Sequence, residues 1–367
     1  MKQNITQRIV AGGTVTLLAL LTTGCGNAGT EASSATSSAL QVNAADKEEV
    51  NEEITEENFS LDNVGPFTIR VGVNSGDGNQ YLKILDDHTN FLKDRGIDLQ
   101  TTEFAAGINT IDAITTGQLD VGLFADYAGV NRIGNTLADT QLRAFAMINK
   151  SNYTYLYVNP ETIKEPKDLE GATAVSMAGV VFEYDYGRLF EKYGVDKSKV
   201  NIVNVSSAQE AIALAATNGA DSYWANIQIG PKFEEAGWTP LLSIEDVDAT
   251  MYTFLVANES YLEEHKAEVA KFLAVSEEGF QYIEENLDEF AGWVETDLGL
   301  KKDLVISGWK SANHVYTFPQ EAYEDLLSVE KWCYNNGNFP TDYDFTGFIN
   351  TNALSLVDPD KVTWQPK

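Results

Sequence analysis

A chain of 367 residues that is 43% hydrophobic and 11% aromatic carries enough apolar side chain for two cores, which excludes a wholly disordered protein. Its formal net charge of -30, with no basic cluster, excludes a nucleic-acid partner, because phosphate contacts need a cationic face that releases counterions. Two cysteines, Cys25 and Cys333, and three histidines, His88, His265 and His314, supply no disulfide framework, no metal cluster and no cofactor motif.

In chain order, Lys2 and Arg8 precede an apolar run over residues 9–21, which ends in Thr22-Thr23-Gly24-Cys25. The run is about 13 residues long, too short for a spanning helix of roughly 20. Residues 1–24 therefore read as a lipoprotein signal peptide, with Cys25 as the lipid attachment site. Thr22 stands where such signals usually carry leucine. Residues 25–64 begin small and polar and turn acidic over 46–57, the composition of a disordered tether. As a flexible coil it reaches about 35 Å.

Phe67, Ile69, Val71 and Val73 alternate as a strand, and a glycine-rich loop over 74–79 opens an amphipathic helix over 80–93. The loop lacks the Lys-Ser/Thr ending of a P-loop and the dinucleotide spacing, so Ser75, Asp77 and Asn79 are candidates for a ligand without a nucleotide. His88 falls beside Tyr81, Ile84, Leu85, Phe91 and Leu92 and reads as a core histidine. Residues 98–129 spell strand, glycine loop, short helix, tight turn at Gly117 and second strand, a βαβ unit. Ligands of open α/β sheets sit beyond the carboxyl ends of such strands, which directs attention to 105–107 and 125–129.

A similar unit returns over 206–230: Ser207 with Glu210 as a capping box, an apolar helix, a stop at Gly219, and Asp221 opening a strand. With a one-residue gap, Phe124-Ala125-Asp126 lies over Trp224-Ala225-Asn226, which predicts two similar lobes facing each other. Strand-like runs over 144–148 and 153–158 lead out of the first lobe, and the run over 252–256 leads back. The expected division is 65–150 with 250–367 as lobe 1 and 151–249 as lobe 2, hinged near Lys150 and Ala249. Beyond it lie helices in which Trp293, Trp309 and Trp332 read as packing and Cys333 as a buried thiol. His265, among Glu263, Glu264 and Lys266, reads as solvated, and His314 has no partner pattern.

The phrase Ile163-Lys164-Glu165-Pro166-Lys167-Asp168-Leu169-Glu170-Gly171 precedes a short strand, then Gly194-Val195, an apolar run over 200–205, and Gly219-Ala220-Asp221. With Gly117-Gln118-Leu119-Asp120-Val121-Gly122 in the first lobe, this order resembles solute-binding proteins of ABC importers. In particular it resembles receptors for sulfonates, taurine, nitrate and thiamine-type pyrimidines, over residues 67 to about 286. The resemblance implies an α/β, two-lobed type II periplasmic-binding-protein fold with the ligand crevice between lobes joined by two hinge crossovers. It further implies an extracytoplasmic, lipid-anchored monomer that delivers a small solute to a permease with a cytoplasmic ATPase. Catalysis is not expected, since related pyrimidine synthases carry a cysteine-rich run and an essential histidine that have no counterpart here. A sensor ectodomain would need a spanning helix and a cytoplasmic module.

Phe124, Tyr127, Phe182, Tyr184 and Trp224 are the expected aromatic walls, suited to a flat or cationic solute. Trp224 is the expected stacking platform, with Asn226 or Asp126 as polar partner. Glu183 would pair with an amino-bearing ring such as a thiamine-precursor pyrimidine, although an acid in a first helical turn also suits the helix dipole without a ligand. The alternative solute is a small anion such as an alkanesulfonate, taurine or nitrate, held by backbone amides around Gly179.

Overall fold

The computed structural model describes residues 58–366 apart from 75–76, 138–140, 228 and 313. The signal peptide, Cys25, the tether up to residue 57 and Ser75 lie outside the described residues.

Ten strands form two five-stranded sheets. β1 (Phe67–Val73), β2 (Ile97–Glu103), β3 (Val121–Ala125), β4 (Leu142–Ser151) and β10 (Met251–Asn258) build the first, in the order β2-β1-β3-β10-β4. β5 (Thr154–Val158), β6 (Thr173–Ser176), β7 (Asn201–Asn204), β8 (Ser222–Asn226) and β9 (Thr239–Ser243) build the second, in the order β7-β6-β8-β5-β9. In each sheet three parallel strands are followed by antiparallel pairing, Phe254 opposite Phe124 in one and Leu156 opposite Trp224 in the other. The chain crosses between the sheets twice, from β4 to β5 and from β9 to β10.

Both β1 and β6 are held by the same device. After the turn at Gly117, Asp120 accepts the Arg70 N–H at 2.8 Å, and after Gly219, Asp221 accepts the Thr173 N–H at 2.8 Å. Each aspartate thus ties the start of one parallel strand to its neighbour, which is the physical content of the glycine-to-aspartate spacing. Arg70 adds its guanidinium to Asp120, with contacts at 2.5 and 3.1 Å.

The helices between strands are α1 (Gly78–Thr89), α2 (Ile108–Thr115), α3 (Asp126–Thr136), α4 (Phe182–Tyr193), α5 (Ala208–Ala216) and α6 (Gly230–Glu235). α1 stops short of the end that apolar spacing predicts. Asn90 takes left-handed backbone (φ 56°), and Asp86 turns its carboxylate to the Leu92 and Lys93 N–H groups at 2.8 and 2.9 Å. This turn also corrects the reading of His88, whose side chain is 32% exposed, stacks on Trp293 at 4.7 Å and pairs with Asp297 at 2.9 Å.

The remaining helices are α7 (Glu259–Glu264), α8 (Lys266–Glu285), α9 (Leu287–Leu298), α10 (Lys302–Ser311), α11 (Gln320–Asn335) and α12 (Asn352–Val357). They pack against lobe 1, and β4 is bridged by the tail at Met147 to Thr317 and at Ala144 to Ile349. Cys333 is fully buried there, and its thiol is pushed up by burial. No helix among the described residues is long and apolar enough to cross a membrane, and no group of His, Cys, Asp or Glu among them could hold a metal ion.

Candidate functional site

A cavity of about 480 Å³ opens where the carboxyl ends of the strands of the two sheets face each other. Lobe 1 contributes Asn74 and Asp77 from the β1–α1 loop, Gly78 and Asn79 from the start of α1, Ala106 to Ile108 around the start of α2, Ala125 and Ala128 around the start of α3, Asn149 from the outgoing strand β4, and Met251 and Thr253 from the return strand β10. Lobe 2 contributes Thr154, Val180, Val181, Phe182 and Asn226. The C-terminal helices close one side with Phe280, Trp309, His314 and Tyr316. Gly107 permits this approach, since a Cβ there would stand 2.7 Å from Leu123 Cδ1 and 3.0 Å from the Leu123 carbonyl.

Asp77 is the one carboxylate among the described lining residues, and no lysine or arginine is among them. It caps α1, accepting the Gln80 N–H at 2.9 Å and the Asn74 N–H. Burial pushes its carboxyl up to about 6, with Glu103 adding to the rise. Asn74 donates its amide to the Phe104 carbonyl at 3.1 Å, while its Oδ1 is buried with no hydrogen-bond partner among the described residues. His314 stacks on Trp309 at 3.6 Å, and its Nε2 lies 2.9 Å from the Trp309 carbonyl. That carbonyl can only accept, so Nε2 carries the proton and Nδ1 is left as an acceptor. Burial lowers the His314 pKa, against the opposing pull of the Trp309 carbonyl and Glu284. The site is therefore aromatic on one side and rich in acceptors on the other.

Of the residues singled out from sequence, the structure brings Asp77, Asn79, Phe182 and Asn226 together on the cavity wall. It takes five others behind that wall. Phe124 and Trp224 are fully buried, because each sits mid-strand between covered faces and opposite another apolar residue. Asp126 is fully buried too, accepting the Tyr127 and Tyr252 N–H groups at 2.6 Å each. Tyr127 and Tyr184 are buried against each other with ring centroids 6.1 Å apart. Gly179 lies just before the lining segment, in left-handed backbone (φ 74°), with nothing near where a side chain would stand. Glu183 points to the Tyr127 hydroxyl at 2.7 Å rather than into the cavity. Asn74, Phe280, Trp309, His314 and Tyr316 escaped the sequence reading, and Trp309 lines the cavity as well as packing.

The family model described as NMT1/THI5 like matches residues 83–289. The chain belongs to the NMT1/THI5-like family. Solved structures carry the same two-lobed periplasmic-binding-protein fold. The alkanesulfonate-binding protein SsuA of Xanthomonas axonopodis pv. citri, bound to MOPS, is 13% identical and superposes with a TM-score of 0.66, covering 78% of this chain and 99% of its own. The periplasmic aliphatic sulphonate-binding protein SsuA of Escherichia coli is 17% identical with a TM-score of 0.66, covering 83% and 94%. The desulfurization enzyme DSZB is 11% identical with a TM-score of 0.60, covering 80% and 99%, so the fold of this NMT1/THI5-like protein also serves an enzyme. No curated protein sequence matches the chain.

Proposed function

We propose that this NMT1/THI5-like protein is an extracytoplasmic solute receptor of an ABC importer that captures a nitrogen-containing, neutral or cationic small molecule between its lobes. Lobe 1 is taken as 65–150 with 250–367 and lobe 2 as 151–249. The receptor is held at the membrane through a lipid on Cys25, acts as a monomer, and delivers its solute to a permease with a cytoplasmic ATPase. The observation that carries the choice of solute is the acceptor set of the cavity: the Asp77 carboxylate and the buried Asn74 Oδ1, which has no hydrogen-bond partner among the described residues, with no cationic side chain among the described lining residues. Such a wall rewards a solute that brings N–H donors, and an aminopyrimidine also suits Phe182, Trp309 and His314 as flat neighbours. The carboxylate role expected of Glu183 passes to Asp77.

Binding without chemistry is the activity proposed. The one described cysteine is buried with its thiol pushed up, which suits packing and not a nucleophile. A second reading has its own observation: α2 and α4 begin at the cavity without a side-chain cap, leaving N–H groups able to hold an anion such as an alkanesulfonate, taurine or nitrate.

Mass spectrometry of the molecule that co-purifies, followed by calorimetry of stripped protein, tests the reading. An aminopyrimidine is expected to bind and Asp77→Asn to weaken it at least tenfold, about 1.4 kcal/mol. Tight binding of taurine, an alkanesulfonate or nitrate that Asp77→Asn leaves unchanged assigns the cavity to the second reading. For the anchor, Cys25→Ser is expected to abolish a lipid-modified N-terminal peptide, and a wild-type protein without that peptide removes the anchor.

A further inference from the structure

Tyr127, Glu183 and Trp332 stand outside the cavity, and their contacts run between the lobes. The Tyr127 hydroxyl donates to Glu183 Oε2 at 2.7 Å, joining α3 of lobe 1 to the first turn of α4 of lobe 2. Asn338, just beyond α11, donates its Nδ2–H to the same phenol oxygen at 2.8 Å. The order amide, hydroxyl, carboxylate has each group donating onward, and it ends on a carboxylate, the stronger kind of acceptor. Trp332 of α11 makes the second half of the contact. Its Nε1–H donates to Glu191 at 2.8 Å, and its ring meets Tyr184 edge-on at 5.1 Å. That ring lies so close to Gly187 that a Cβ there would stand 2.2 Å from it. Because α11 packs on α3, Trp332 reaches α4 from the lobe 1 side.

We propose that Tyr127, Asn338 and Trp332 form a latch on α4 that holds the lobes together and so sets solute affinity without touching the solute. For its purpose the latch rests on the receptor reading; its contacts are tested in protein without solute, so the two can fail separately. Latch and cavity share two helices. Ala128 lines the cavity beside Tyr127, and Phe182 lines it beside Glu183. A displacement that carries Phe182 away from lobe 1 breaks the Tyr127 to Glu183 bond in the same movement. A contact made only when the lobes are together raises the closed population, and a solute that needs both lobes gains the same factor in affinity. Losing one hydrogen bond to a carboxylate is expected to shift the open–closed equilibrium constant at least about tenfold.

Small-angle scattering of the full chain without solute reads this shift in two variants. Tyr127→Phe removes the donor and keeps the ring. Gly187→Ala drives a methyl group into the seat of Trp332. If Gly187 were only a helix residue, alanine would leave the lobes in place and stabilise α4, since alanine is the better helix former. The latch instead requires a larger radius of gyration in both variants, with far-ultraviolet circular dichroism unchanged. Scattering profiles of both folded variants that superimpose on the wild type overturn it, and if Tyr127→Phe fails to fold, Gly187→Ala decides alone.

Discussion

The two lobes repeat one strand plan, β2-β1-β3 and β7-β6-β8, each bordered by antiparallel strands, and they differ in what stands at equivalent strand ends. In lobe 1, α3 starts directly at Asp126, which turns inward and ties Tyr252 to Tyr127. In lobe 2, the chain makes a turn after Asn226 before α6 starts at Gly230, so Asn226 stays exposed and lines the cavity. One polar position thus becomes a buried brace in one lobe and a piece of binding wall in the other. The deciding factor is how soon the next helix starts. The lobes differ in charge in a parallel way. Lobe 1 and its C-terminal helices hold carboxyls pushed up by desolvation, Asp126 and Glu330 buried and Asp77 and Asp325 half-buried, whereas most shifted carboxyls of lobe 2 are lowered, as Asp168, Glu170, Asp196, Glu210 and Asp246 are. Asp185, buried beside Asp126, is the exception in lobe 2.

The sharpest test of the first difference is Asp126→Ala against Asn226→Ala. The first leaves two buried N–H groups unpaired and is expected to cost about 3 kcal/mol, the second under about 1 kcal/mol, by urea unfolding. Equal costs would show that the two strand ends are not distinct. The charge difference is read from stability against pH. Asp77 and Asp126 are raised to about 6 and Glu330 to about 7, against about 4 for an exposed carboxyl. Between those limits the folded chain binds more protons than the unfolded chain, so stability is expected to rise as pH falls from 8 towards 5. Melting is expected several degrees higher at pH 5.5 than at pH 8. Below about pH 4 the sign reverses, because Glu170, held at about 2 by its bonds to Lys167, Asp196 and Lys199, must then be protonated at a cost. A melting temperature flat from pH 8 to 5.5 would contradict the buried set.

A smaller effect separates the two strand-tying aspartates. Asp221→Ala is expected to cost about 1 kcal/mol and Asp120→Ala about 0.5 kcal/mol more, because Asp120 also holds Arg70. The smallest is Lys199→Ala, which loses ion pairs to half-buried Glu170 and exposed Asp196 that solvent screens, so its urea midpoint is expected to match the wild type.

Much of the fold was legible because its signals are local. Apolar alternation over Phe67 to Val73, the stop at Gly117, the Ser207 cap of α5 and the aspartates at 120 and 221 each act within a turn or between neighbouring strands, so their spacing is their mechanism. The loops beyond the strand ends were legible for the same reason, and Asp77 and Asn226 stand there. What only the tertiary structure decided is which way those side chains face. Phe124 and Trp224 look like crevice aromatics until each is found opposite an apolar partner with both sheet faces covered. Trp309 looks like a packing residue and His314 has no partner pattern until α10 and the segment after it fold back on the cavity, some 230 residues along the chain from the loop they face. Glu183 meets Tyr127 only because two helices from different lobes converge. Local spacing encodes hydrogen bonds between near neighbours, and burial is a property of everything that arrives from elsewhere in the chain.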